Sequence, residues 1–427
     1  MEEIWACGIF ILTFLLILSE KVHRTTAAMF GAGLMVVFGR ISGLYSYKEA
    51  IDAVDFDTLG LLVGMMIIVS NMKRTGLFNY LAIKTAKVAR GNPFLLLGMM
   101  GVMTAVLSMF IDNVTTIILI APITLLIADT LGISPIPMLM AEVLLSNIGG
   151  VGTMVGDPPN IIIASASGLG FNDFLLHLLP PVIITTAAVL LLLMGIFWRQ
   201  LKRRPKDIKH LLSMDEAEAI RGAQGLKRCL GVMGGVVLFF LLHQSLHLSP
   251  TMVALLGGVL ILLLLRPDPD EIFKDIEWSA IFFFGALFVL VGGIKHTGLL
   301  SHIGSKISSL ARENMILSTV LLVWVGALVS SCIGNVPFTL TMIPIIKEIA
   351  SLGIGVNPLW WSLAMGVGFG GNGTPIGSAA GIITISVSEK TREPITFRGW
   401  MRVGGLATVT SCCAATLFLI LFPGFFR

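Results

Sequence analysis

Two short polar interruptions in apolar sequence carry most of the chemistry available to this chain. Asp112-Asn113 breaks the stretch SMFIDNVTTIILIAPI (108–123), and Asp157 lies in SNIGGVGTMVGDPPN (146–160) beside Pro158, Pro159 and Asn160. An ionised carboxylate at the centre of a membrane costs about 2.5–3.5 kcal/mol on insertion scales, so such a group faces a cavity or a site. Asp112 and Asp157 are therefore candidates for taking up and releasing a proton. The competing role is structural: Asp accepts backbone N–H groups at the start of a helix. Glu142 is a weaker proton-site candidate. Two further interruptions follow, at Gly334-Asn335 and in GFGGNGTPIGSAAG (368–381), offering Asn335, Asn372, Thr374 and Ser378 as neutral hydrogen-bonding groups. The glycines match neither a dinucleotide fingerprint nor a P-loop, and close helix packing is their alternative role.

Other chemistry is excluded. Cys7, Cys229, Cys332, Cys412 and Cys413 show no metal-ligand spacing, and Cys332, three residues before Asn335, reads as packing or a weak contact. His177, His243 and His247 form no ligand cluster. With no nucleophile–base arrangement, metal set or cofactor motif, the chain does not read as an enzyme, and nothing points to nucleic acid.

The elements that must hold these residues are membrane helices. Of 427 residues 55% are hydrophobic and only 13% charged, about half the charged share of a soluble domain. The first 20 residues begin Met1-Glu2-Glu3, without the basic start or cleavage site of a signal peptide, and are expected to form the first span. Spans are expected at 4–19, 25–39, 56–72, 138–168, 178–198, 229–247, 250–265, 277–294, 358–387 and 403–425. Two stretches, 94–128 and 315–350, break at Asp112-Asn113 and at Gly334-Asn335. Each half is short for a crossing, so both read as re-entrant hairpins.

Charge placement orients the array. The segment 199–228 holds Arg199, Lys202, Arg203, Arg204, Lys206, Lys209, Arg221, Lys227 and Arg228 and is expected in the cytoplasm. Counting both ways puts Lys73, Arg74, Lys84, Lys87, Arg90, Arg266, Lys274, Lys390 and Arg392 on the same side; Lys295, Lys306 and Arg312 go against the rule. At an offset of 222 residues, DFDTLGLLVGMMIIVSNMKRTGLF (55–78) meets EWSAIFFFGALFVLVGGIKHTGLL (277–300), Asn113 meets Asn335, and Pro122 meets Pro344. At one residue less, GGVGTMVGDPPN (149–160) meets GGNGTPIGSAAG (370–381). Asp112 and Asp157 meet Gly334 and Ser378, so the acidic chemistry belongs to the first half alone. The two units start on opposite sides of the membrane, as inverted repeats do in alternating-access transporters. The expected fold is an all-α polytopic membrane protein with about ten spans, two hairpins and broken helices. Its parts would be N-terminal helices (1–54), a first repeat (55–198), a basic cytoplasmic loop (199–228), linking helices (229–276) and a second repeat (277–427) in the plasma (inner) membrane.

FIDNVTTIILIAPITLLIA followed by AEVLLSNIGGVGTMVGDPPNIII resembles the signature of the arsenite/antimonite permeases. Their superfamily also includes the melanosomal P protein, sodium/proton antiporters and divalent-anion symporters. The resemblance spans nearly the whole chain. It implies that Asp112, Asn113, Thr115, Asn147, Thr153, Asp157 and Asn160 in the first half and Asn335, Asn372, Thr374 and Ser378 in the second surround the substrate. The function it implies is proton-coupled arsenite or antimonite efflux, with sodium/proton antiport as the alternative and a cytoplasmic ATPase subunit as an admissible partner. The Ser-Asn-Thr tips of dicarboxylate symporters are absent and an ionised Asp112 repels a di-anion, so citrate and succinate are not expected.

Overall fold

The computed structural model describes residues 2–19, 21–202, 205–206, 208–391 and 393–426. Arg203, Arg204 and Arg392, used above for orientation, lie outside the described residues. Among the described residues all regular structure is helical. The first half comprises α1 (Glu2–Ser19), α2 (Arg24–Ser42), α3 (Tyr47–Asp52), α4 (Phe56–Arg74), α5 (Leu77–Val88), α6 (Pro93–Ser108), α7 (Asn113–Leu131), α8 (Ile136–Gly150), α9 (Pro158–Ser167) and α10 (Phe171–Ile196). A connector with α11 (Trp198–Leu201), α12 (Ile208–Ser213) and a 3-10 turn (Glu216–Ala219) follows. The second half comprises α13 (Ala223–Leu246), α14 (Pro250–Leu265), α15 (Pro269–Asp275), α16 (Trp278–His296), α17 (Leu299–Glu313), α18 (Met315–Ile333), α19 (Asn335–Ser351), α20 (Asn357–Gly370), α21 (Ala379–Ser388) and α22 (Phe397–Leu421).

The chain is an all-α, multi-pass protein of the plasma membrane. Eight of the described helices, α2, α4, α7, α10, α13, α16, α18 and α22, are long and apolar enough to cross a bilayer, and five shorter apolar helices accompany them. Large apolar side chains such as Ile41, Leu191, Leu263 and Leu328 stay exposed, as a lipid-facing surface requires. α8 and α20 are instead buried on every side from Pro137 and Leu359 onward. That all-round burial makes them the central helices.

The ten helices of the second half follow those of the first in the same order. The pairing thus continues beyond the stretches that carry the sequence echo, to α1–α3 and α13–α15. Local chemistry explains the echo. Gly76 (φ 78°) and Gly298 (φ 73°) turn the chain between α4 and α5 and between α16 and α17 in the left-handed region that favours glycine. Beside them, Thr75 and Thr297 each donate to a carbonyl three residues back, Met72 O and Ile294 O, both at 2.7 Å. Asn92 and Asn314 cap α6 and α18 through their side-chain oxygens. Where α6 meets α8, a Cβ on Gly149 would lie 2.2 Å from Ala105 O; where α18 meets α20, one on Gly370 would lie 2.6 Å from Ala327 O. Both helix pairs touch through backbone, which only glycine permits there.

α4 and α16 run in opposite directions. Arg74, ending α4, pairs with Glu271 at 2.6 Å and Asp275 at 3.5 Å, just ahead of α16. Asp55, before α4, shares a cavity with Lys295 and His296, which end α16. The halves also exchange partners: α4 packs on α14 and α16 on α2, while α7 packs on α21 and α19 on α9. The connector docks at the α4 end, where Arg221 N donates to Thr75 O at 2.9 Å and Lys87 is hydrogen-bonded to Glu216.

Candidate functional site

Each of the four interruptions ends one helix and starts another. The chain turns at 109–112 between α6 and α7 and at Gly334 (φ 90°) between α18 and α19; wider breaks at 151–157 and 371–378 separate α8 from α9 and α20 from α21. The N-termini of α7, α9, α19 and α21 therefore all open at interruptions. A helix N-terminus presents unpaired N–H groups and partial positive charge.

Two hydrogen-bonded clusters join these ends. In the first, Asn113 Nδ2 donates to Asn147 Oδ1 at 2.8 Å. Asn147 Nδ2 donates to Asn372 Oδ1 at 2.8 Å and to Ser378 Oγ at 3.0 Å. Asn372 Nδ2 continues to Leu144 O at 3.0 Å, and its carbonyl accepts from Trp400 Nε1 at 3.1 Å. All four polar residues are buried. In the second, Asp157 and Asn335, also buried, lie 3.4 Å apart from Oδ2 to the side-chain amide. The neighbours of that amide fix its orientation: its nitrogen donates to Ser330 Oγ at 2.7 Å, Gly377 O at 3.2 Å and Val367 O at 3.3 Å, and its oxygen faces Asp157. Two oxygens in contact need a proton between them, so this arrangement suits the neutral acid form of Asp157. Gly371, adjoining Asn372, brings the clusters together: a Cβ there would lie 3.2 Å from the Asn335 amide.

The remaining expected residues brace the interruptions. Asp112 is the cap of α7, its Oδ1 accepting from the Thr115 backbone N–H at 2.8 Å; both residues are half-buried. Asn160 Nδ2 donates to Gly150 O, Val151 O and Thr153 O at 3.3, 3.0 and 2.8 Å, closing the 151–157 loop onto itself. Thr153 Oγ1 donates to Met109 O, and Thr374 Oγ1 to Ser331 O at 2.5 Å. These equivalent ties hold each helix break against its hairpin tip. Asp157 starts α9 without capping it through its side chain, so its carboxylate stays free for other work. Sequence reasoning missed Ser330, Ser331 and Trp400, although Met109 and Ser331 already corresponded at the 222 offset. Cys332 is exposed, which sets aside packing and leaves the weak contact. Among the described residues no group of His, Cys, Asp and Glu could hold a metal ion.

A cavity of about 800 Å³ leads toward the second cluster. It opens between the start of α4 and the ends of α9 and α16, and carries Asp52, Asp55, Asp57, Lys295, His296 and Lys347. Along α9 it reaches Ile162 and along α19 Leu340, each five residues from Asp157 or Asn335. At the helical rise that leaves about 7.5 Å.

The comparisons with known proteins correct the function expected from sequence. Residues 14–366 match the CitMHS family model, described as citrate transporter. An uncharacterized transporter of Mycobacterium tuberculosis is 38% identical over 418 residues, covering 97% of both chains. The human P protein is 31% identical over 488 aligned residues, covering 95% of this chain and 58% of the P protein. The YdaH transporter of Alcanivorax borkumensis shares the fold, with a TM-score of 0.63 at 12% identity over 88% of this chain and 87% of that one. Transport without enzymatic activity agrees with these relatives. The arsenite/antimonite permease assignment does not stand, and with it fall arsenite or antimonite as substrate, the sodium/proton alternative and the ATPase subunit. The family description names citrate, a substrate that the sequence reading did not expect. Geometry explains the misreading: Asp112, Thr153 and Asn160 cap, tie and close the interruptions, so the motifs that carry them specify backbone architecture more than cargo. The chain belongs to the CitMHS citrate transporter family.

Proposed function

We propose that the chain is a secondary transporter that carries citrate or a related small polycarboxylate together with protons, by alternating access. The observation that carries this reading is the meeting of four helix N-termini around buried amide and hydroxyl groups with carboxylates from the first half alone. No lysine or arginine takes part in either cluster, so the charge of a carboxylate substrate would rest on the helix ends and their N–H groups. Asp112 and Asp157 repel that anion when ionised, and neutralising them with protons removes the repulsion. Anion and protons therefore travel in the same direction. The Asn335 amide, held by Ser330 and the carbonyls of α20 and its break on one side and facing Asp157 on the other, links the protonation of the first half to the hairpin of the second.

Opposed directions of α4 and α16 and the exchanged packing support inverted repeats. We assign one repeat to α1–α10 and the other to α13–α22, with re-entrant hairpins at α6–α7 and α18–α19, broken crossings at α8–α9 and α20–α21, and ten spans in all. The repeats predicted at 55–198 and 277–427 form the inner part of these units. Asn113, Asn147, Asn372, Ser378 and Asn335 are the substrate contacts, Asp157 and Asp112 the proton carriers, and Thr115, Thr153, Asn160 and Thr374 hold them in place. The basic connector and the α4 end mark the cytoplasmic face, so the cavity with Lys295 and Lys347 is the external vestibule.

Uptake of labelled citrate into proteoliposomes, with and without an imposed pH gradient of either sign, tests the reading. Accumulation should follow the proton gradient and acidify the lumen. If citrate and its tricarboxylate analogues neither bind nor enter under any gradient, the substrate assignment fails.

A further inference from the structure

Glu142, on the central helix α8, is fully buried. Thr124 of α7 donates to its Oε1, and Oε2 is buried with no hydrogen-bond partner. Among the described residues no charged side chain pairs with it. α6, α20 and α21, which pack on α8, carry no acidic or basic residue; α7 carries Asp129 and its cap Asp112, α10 carries Asp173 and His177, and α22 carries Arg398 and Arg402. None of these is hydrogen-bonded to Glu142. A buried carboxyl group with a bare oxygen is tolerable as the neutral acid and unfavourable as the anion.

The second half supplies an internal control. At the offsets that align the repeats, Thr124 corresponds to Ile346 and Glu142 to Leu363, both buried apolar residues. The α19–α20 contact is thus made without the polar pair that its twin α7–α8 keeps, so helix packing does not require Glu142. Its place is also specific. It stands five residues before Asn147, about 7.5 Å along the helix from the first cluster, and about 9 Å from the start of α8. That start adjoins the connector, where Lys206 N donates to Leu131 O at 2.9 Å.

We propose that Glu142 is a further proton-binding site of the transport cycle, separate from Asp112 and Asp157 and placed between the substrate cluster and the connector face. One oxygen binds and releases the proton, exchanging it with water admitted to the bare oxygen during the cycle, while the other stays anchored by Thr124 of α7. The proposal rests on the transport reading for its role but not for its detection.

Infrared difference spectra of the purified protein, taken between acidic and alkaline pH without substrate, read the protonation directly. A carboxylic-acid carbonyl band that changes with pH should be present in the wild type and missing in Glu142→Gln. Glu142→Leu, which copies the second half, should lose the same band and guards against a glutamine variant that fails to fold. In proteoliposomes, Glu142→Gln should keep substrate exchange and lose one proton from the transport stoichiometry. A band unaffected by either variant, or one that never responds to pH, overturns the proposal even if citrate transport is established. Should citrate not be the cargo, the spectral result still decides the protonation of Glu142.

Discussion

Asn147 and Asn372 meet side chain to side chain at 2.8 Å, joining α8 to the break that follows α20. Neither is the repeat equivalent of the other, since Asn147 aligns with Gly368 and Asn372 with Val151. The bond is therefore an asymmetric device added to a symmetric frame. Replacing Asn147 by Ala leaves Asn113, Asn372 and Ser378 short of buried partners, each at a cost of about 1–3 kcal/mol where water cannot enter. The variant should show a lower Tm and weakened substrate binding, measured by thermal unfolding in detergent with and without citrate.

Gly149 and Gly370 should tolerate no side chain. Alanine at either forces α8 from α6 or α20 from α18, because the obstacle is a carbonyl oxygen rather than a flexible side chain. Overpacking of this kind costs about 1–3 kcal/mol. Glycine-to-alanine variants at Gly231 and Gly285, where nothing lies within 4 Å, should retain wild-type Tm and serve as controls.

Asp157→Asn should uncouple transport from protons. Asn cannot take up a proton, so the pH dependence attached to Asp157 should flatten while citrate exchange persists. Asp112→Asn keeps a side-chain oxygen for the Thr115 N–H and should retain the fold while altering coupling. Stoichiometry measured as proton flux per citrate separates the two carboxylates. Unchanged stoichiometry in both variants removes them from the coupling role.

Lys347 and Lys295 should gather anions in the vestibule. Lys347→Gln should raise KM for a polycarboxylate with little change in kcat, and the difference should shrink as salt screens the field. A KM unaffected at low ionic strength rules out recruitment by this residue.

Glu216 gives a pH test outside the membrane. Its carboxyl is held below the ordinary value near 4.5, first by the hydrogen bond from Lys87 and further by the backbone and nearby lysine charges. A carboxyl depressed on folding contributes stability above its unfolded pKa and loses it as pH falls through the folded one. The link between α5 and the connector should therefore hold at neutral pH and loosen only in acid below about pH 4.5. Faster hydrogen exchange at 214–221 in acid, already present at neutral pH in Glu216→Gln, would show it.

Much of the fold is legible in the sequence because membrane insertion and turn chemistry act locally. The helices lie where apolar length put them, and the interruptions fall at Asp112-Asn113, Gly334-Asn335 and the two Gly-rich breaks. α5 and α17 escaped notice, since short helices with charged faces leave no hydropathy signal. The motifs place the interruptions but do not specify the substrate: their Asp, Thr and Asn cap and brace the breaks rather than mark a cargo. What sequence alone determined was the membrane class and the polar breaks, both written in neighbouring residues. Tertiary structure decided which polar groups meet. It turned Asn160 inward onto its own loop, set Asn335 beside Asp157, and left one oxygen of Glu142 bare. Those outcomes depend on distances between helices far apart in the chain, which no local pattern encodes.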